Sequence, residues 1–463
     1  MNKQFSLSQS LPLIALAGLA IGLGLFVANA NYDWQGLILI GALIGIVAVF
    51  VIPRLARSVG GPDIAKVLGA ALVAKFVFAM VRNWFAFGVY GGSADASGYN
   101  QAGTIISHYI WNLDFAPISA QFHWGTSFVM ILTGIIYSIT GPSIYAGYLV
   151  YSFLAFLGSY FYYRAFTVAF PQGNSRLFLI LIFFFPSILY WPNGIGKDAL
   201  MLLFMGLSAY GSARLIRNQI RGLIPLAIGF GGILLIRPHI AMVLALALGF
   251  ALVVRGFKKQ SIGPATYIIA LIAVGAFTWF LVPSLAAELG IEDLSFQGVT
   301  TTFVQQQDFT FEGGSAFQVV DITDPFRLPG QLFGIIFRPF PWETNNVQAL
   351  VQSLEGALML GLILWKIKNI GRALVNAMSD PYLRYIIISI FSLLMVFTAI
   401  ANFGILVRER AMMLPFLLKL ICYKRAQDAP EKIRTLPAIG TVMAQPVQTN
   451  NPLVTPRLKS FER

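Results

Sequence analysis

The chain has 463 residues, 57% of them hydrophobic and only 11% charged, with a mean hydropathy of +0.74. Soluble domains are about 25% charged; a soluble protein with a large core is excluded because apolar runs repeatedly reach the ~20 residues that cross a bilayer. The net charge of +13 does not imply nucleic acid, since surplus Lys and Arg in a membrane protein mark cytoplasmic loops, and the single cysteine, Cys422, leaves no disulfide framework.

Apolar segments fall near 11–30, 34–52, 65–91, 143–163, 176–191, 199–213, 222–236, 240–254, 264–283, 346–365, 383–401 and 405–423. The first lacks a small-residue cleavage site and a second follows at once, so it reads as a helix and not as a signal peptide. One further run, 126–140, is short for a span and closes on Gly141-Pro142, which suits a re-entrant or interfacial helix. With that run not crossing and the N-terminus inside, 23 of the 32 Lys and Arg fall on the inner side. Only Lys197, Arg237, Arg327, Arg338, Arg408 and Arg410 are left outside; a crossing would turn most of the basic clusters outward, against the usual bias.

The expectation is an all-α polytopic transmembrane bundle of about twelve spans. It occupies residues 1–423 in the cell membrane, with both termini cytoplasmic and outer loops at 92–142 and 284–345. Residues 424–463, rich in Pro and Thr, read as a solvated, disordered cytoplasmic tail.

The outer cations sit in short polar islands at helix ends: Trp191 to Asp198, Arg237-Pro238-His239, Phe337 to Glu343, and Arg408-Glu409-Arg410. Taken singly, each island is equally well read as cations snorkelling to lipid headgroups. Together on one face, Lys197, Arg237, His239, Arg338, Arg408 and Arg410 suit a phosphate or pyrophosphate, which arginine grips bidentately. The acid candidate is Asp95, after Gly91-Gly92 at the end of the span carrying Lys75 and Arg82. It reads either as a general base or as the N-cap of a polar helix beginning near Ser97.

Asp198 and Glu343 are secondary acids, with ion pairs to Lys197 and Arg338 as the competing reading. Asp114, His108 and His123 share the first outer loop, and three scattered histidines make no metal motif. Glu355 falls within a span, where it calls for a partner such as Lys75. The sequence does not reveal a cofactor or a metal requirement.

The order of parts is similar to the GT-C class of membrane glycosyltransferases: an outer loop with an Asp, a short helix closing in Tyr137 to Ser143, and a span ending in Tyr162-Tyr163-Arg164. The resemblance covers the layout of roughly residues 65–220, and Ala96 stands where the usual acidic pair has its second member. It implies Asp95 as base and Arg237, Arg338, Arg408 or Arg410 on the phosphate of a polyprenyl-phosphate-linked sugar, with a glycan or protein acceptor. The islands also resemble bacterial surface-polysaccharide membrane proteins, some of them repeat-unit polymerases. The leading expectation is a glycosyltransferase, then a polymerase with essential arginines, then a transporter or flippase. The last calls for more ionisable residues deep in spans than Lys75, Arg82 and Glu355.

Overall fold

The computed structural model describes residues 29–60, 62–256 except 93 and 121, 295–311, 315–319 and 324–424 except 345, with isolated positions at 24, 268, 272 and 275. The segments read as spans at 11–30 and 264–283, and the tail from 425, lie wholly or largely outside the described residues.

The described chain is helical: α1 (Tyr32–Arg57), α2 (Pro62–Asn83, running on into a π-helical turn Trp84–Val89), α3 (Asp95–Trp111), α4 (Ala116–Ala120), α5 (Thr126–Thr140), α6 (Ile144–Ala169), α7 (Ser175–Phe184), α8 (Pro186–Tyr190) and α9 (Lys197–Ile216). Then follow α10 (Leu223–Ile236), α11 (Pro238–Gly256), α12 (Phe296–Thr310), α13 (Leu328–Phe337), α14 (Val347–Trp365), α15 (Ile367–Asn376), α16 (Pro381–Phe397) and α17 (Phe403–Cys422). Short polar side chains start many of them: Asn31, Ser143, Asn174, Asn346, Asp380 and Asn402 each accept a backbone N–H of the first turn. Pro186 breaks the segment read as one span at 176–191 into α7 and α8, because proline removes a helical donor and its ring needs an extended residue before it.

Among the described residues five helices are long and apolar enough to cross a bilayer: α1, α2 with its π turn, α6, α9 and α14. Counting α15 and α16, bent by 112°, as one span makes six. The count of about twelve also takes as spans the shorter apolar helices α7, α10 and α11, the helix α17 with its four charges Arg408, Glu409, Arg410 and Lys419, and the runs 11–30 and 264–283 outside the described residues.

The helices pack through small residues. A Cβ on Gly158 of α6 would stand 2.5 Å from the Leu202 carbonyl of α9, and one on Gly211 of α9 would stand 2.5 Å from the Leu226 amide of α10. Such close backbones replace the hydrophobic drive that helices lack in lipid.

Helix ends sort into two layers. At one end Asp33 accepts the Ile144 amide at 2.8 Å, and Arg82, Asp198, Arg237 and Arg408 meet. At the other, Arg164 donates to Ser58 at 2.5 Å, Arg217 pairs with Asp380 at 2.7 Å, and the Asn174 amide donates to Cys422 at 2.9 Å.

The run 126–140 begins and ends at the first of these layers. The Gly125 amide donates to the Leu235 carbonyl in the last turn of α10, and Gly141 packs on Tyr32 at the start of α1. This helix therefore does not traverse the bundle. It runs alongside α3, with Tyr99 beside Thr126 near one end and Trp111 donating to the Ser138 carbonyl at 2.9 Å near the other.

Candidate functional site

Four separated stretches of chain deliver the site. The π turn after α2 brings Arg82 and Tyr90 to the mouth of a cavity; π bulges recur at functional positions. The loop after α8 carries Tyr190, Trp191 and Gly194 to Gly196, and α9 then starts with no side-chain cap, its Gly196 and Asp198 lining the same space. The α10–α11 turn supplies Arg237, and α17 starts with Arg408 one turn in. The cavity measures about 410 Å³.

Asp198 is the hub. Its carboxylate takes Arg408 Nε at 2.7 Å, Arg82 at 3.7 Å and Arg237 at 3.8 Å, and its side chain is only 11% exposed. Arg408 reaches with its other arm to Asp95 at 2.8 Å, so one guanidinium joins the two acids. Arg237 also pairs with Glu409. Arg82 lies over Trp191 at 5.0 Å and Tyr190 at 5.4 Å, in cation–π range. Lys197 is tucked beneath the Gly125 turn, where the φ of +81° suits glycine and an added Cβ would meet the amine at 3.7 Å. Arg82, Lys197, Arg237 and Arg408 thus outnumber Asp95, Asp198 and Glu409 by one positive charge.

Burial would raise the Asp95 carboxyl. The hydrogen bond and charge of Arg408, with Lys197 and Arg82 behind it, win and hold it below the usual carboxylate range. Burial, then the Asp95 charge, push the neighbouring Tyr99 hydroxyl up to about 12, so it stays protonated.

The fold gathers Asp95, Lys197, Asp198, Arg237 and Arg408, with His239 in electrostatic reach of Arg237 and Lys197. Asp95 is the first residue of α3 and not its cap; Ala94 holds the cap position with no side-chain bond, and the helix starts before Ser97. Asp198 takes its close partners from Arg82, Arg237 and Arg408, not from Lys197.

Arg338 and Glu343 stand apart and pair with each other at 2.5 Å on a second cavity of about 520 Å³. There Arg338 caps the stacked rings of Phe317 and Phe403, 4.5 and 4.9 Å away. Arg410, 1% exposed, is interior. It donates to the carbonyls of Ile336 and Arg338 at 2.7 and 2.8 Å and faces Glu355 at 3.8 Å. Glu355 accepts from Ser187 at 2.7 Å, so its partners are Arg410 and Ser187, while Lys75 donates to the Ile188 carbonyl instead.

Arg82 and Glu409 are the site residues that reading by sequence passed over. Arg82 is legible only as a cation late in a long span, and Glu409 only as a letter between two arginines.

Compared with known protein families, curated proteins and solved structures, the chain matches none. Among the described residues no three His, Cys, Asp or Glu side chains gather as metal ligands. The surplus positive charge, the uncapped start of α9 and the aromatic wall suit an anion attached to a ring-bearing group.

Proposed function

We propose that the protein is a multi-pass glycosyltransferase of the cell membrane, taking sugar from a polyprenyl-phosphate-linked donor on the outer face for cell-surface glycan assembly. The observation that carries this reading is the Asp95–Arg408–Asp198 bridge at a cavity walled by Arg82, Tyr190 and Trp191. The sidedness follows from charge: Arg54, Arg57, Arg164, Arg214 and Arg217 lie toward the opposite end, which the positive-inside rule makes cytoplasmic, with both termini on that side; the shorter apolar helices, α17 and the runs 11–30 and 264–283 complete about twelve spans.

A donor phosphate entering between helices competes for Arg408 and Arg82. Arg408, once on the phosphate, releases Asp95, whose carboxylate then takes the proton of the acceptor hydroxyl. The acceptor oxygen bonds to the sugar's anomeric carbon as the bond from that carbon to the phosphate oxygen breaks. The electron pair leaves with the phosphate, held by the arginines.

Asp95→Asn tests this. Transfer from polyprenyl-phosphate hexose to acceptor falls at least 100-fold, the range of one general base, while insertion and melting stay near wild type. Full transfer by that variant removes Asp95 as the base. One observation favours a second reading, a repeat-unit polymerase: the guanidinium on Asp95 makes it a weak base and suits a structural role. Glycan export that survives Asp95→Asn but is lost in Arg338→Ala and Arg408→Ala selects the polymerase.

A further inference from the structure

The cavity has a second wall, which the reaction above does not use. It is built by α14, where Gln348 and Gln352 are spaced by four and share one helix face. Gln348 accepts the Tyr90 hydroxyl from the π turn. Gln352 has no such partner: the residue is 7% exposed, lines the cavity, and its side chain makes no hydrogen bond to any described residue. Its place is set from behind, because Gly356, one turn on, packs against the Phe337 carbonyl so closely that no Cβ fits.

An amide on a cavity wall with no protein partner is left to whatever the cavity holds, and such a group is suited to a site where a ligand completes it. The amide offers two donors and an acceptor, which matches a hydroxyl that both gives and takes a proton. Tyr190 and Trp191 line the same cavity beside Arg82, and aromatic rings at a cavity wall suit the C–H face of a pyranose. We propose that Gln352 is a specificity-determining residue that reads a ring hydroxyl of the donor sugar while Arg82 and Arg408 hold its phosphate. The assignment rests on the donor class proposed above and names which side chain recognises the sugar.

The test uses the full chain in detergent or nanodiscs and two kinds of probe: bare polyprenyl phosphate, and polyprenyl phosphate carrying glucose, galactose or mannose. The wild type binds at least one sugar-bearing probe more tightly than the bare one. Gln352→Leu loses about tenfold on that probe, as one neutral hydrogen bond is worth, and nothing on the bare one. If the leucine variant does not fold, Gln352→Asn, which withdraws the amide by one methylene, carries the same comparison.

Equal losses on both probes, or no loss on either, overturn the assignment, and so does a wild type that binds every sugar-bearing probe no better than the bare phosphate. In those cases the transfer assay with Asp95→Asn still judges the enzyme. A wild type that binds neither kind of probe removes the donor class and the assignment together.

Discussion

Removing the charge of Asp198 tests the electrostatic logic of the site most directly. Asp198→Asn keeps the shape but takes away the anion that faces Arg408 at 2.7 Å, Arg82 at 3.7 Å and Arg237 at 3.8 Å. One unit pair at ~4 Å is worth about 4 kcal/mol gross at an effective dielectric of ~20. Much of that returns as hydration when the arginines turn away, and removing one member of a buried pair costs about 3–5 kcal/mol net. For a chain of this size each kcal/mol moves the melting temperature by ~2 °C or less, so the fall is on the order of 5 °C.

The same change raises the positive surplus from one charge to two. Inorganic phosphate therefore stabilises Asp198→Asn more than wild type, and its apparent affinity rises by about tenfold, or ~1.4 kcal/mol. Thermal melting of the purified protein across a phosphate series, at constant ionic strength, reads both quantities. Melting within ~1 °C of wild type, or an identical phosphate response, refutes the hub.

Other outcomes follow from the same packing. Glu355→Ala and Arg410→Ala each strand a buried charge and lower stability by about 3–5 kcal/mol, whereas Glu355→Leu with Arg410→Met recovers most of it, as seen by melting of the purified variants. Gly158→Ala drives a methyl into the α9 backbone and costs about 1–3 kcal/mol, while Gly231→Ala, which meets open space, is neutral or gains up to ~1 kcal/mol through helix propensity.

Asp95 titrates below the ordinary carboxylate range because Arg408 holds it, so its ion pair is intact at neutral pH and lost only as the pH falls through that lowered value. The acid limb of kcat/KM, which reports the free enzyme, then lies at low pH in wild type and moves upward in the residual activity of Arg408→Gln, where burial acts on the carboxyl without the guanidinium. An unmoved limb assigns it to another group.

Much of the helical layout was legible in the sequence because lipid imposes it. An apolar run must form its own hydrogen bonds, which means a helix, and α1, α6, α9, α10 and α14 fall close to the runs read for them. Charge parity likewise argued that 126–140 does not cross, and both ends of that helix meet the same end of the bundle. Finer breaks were less visible. Pro186 sat within an apolar run that gave no other sign of ending, and α15 is a short helix set at a sharp bend to its neighbour.

The polar islands named Lys197, Asp198, Arg237 and Arg408, and the loop after Gly91-Gly92 named Asp95, as letters near helix ends, since charge in an apolar chain is rare enough to stand out. Their pairing was not in the letters. Arg408 and Arg410 are two residues apart in one helix and so point to different sides: Arg408 to Asp95 and Asp198 at the cavity, Arg410 inward to Glu355 and the end of α13. Arg82, more than a hundred positions from Asp198, joins it only because α2 and α9 end in the same layer. Local hydrophobicity is enough to make helices and to sort their charged ends. Which cation meets which acid depends on how the helices turn about their axes, and close packing at Gly158, Gly211 and Gly356 decides that only once the bundle has formed.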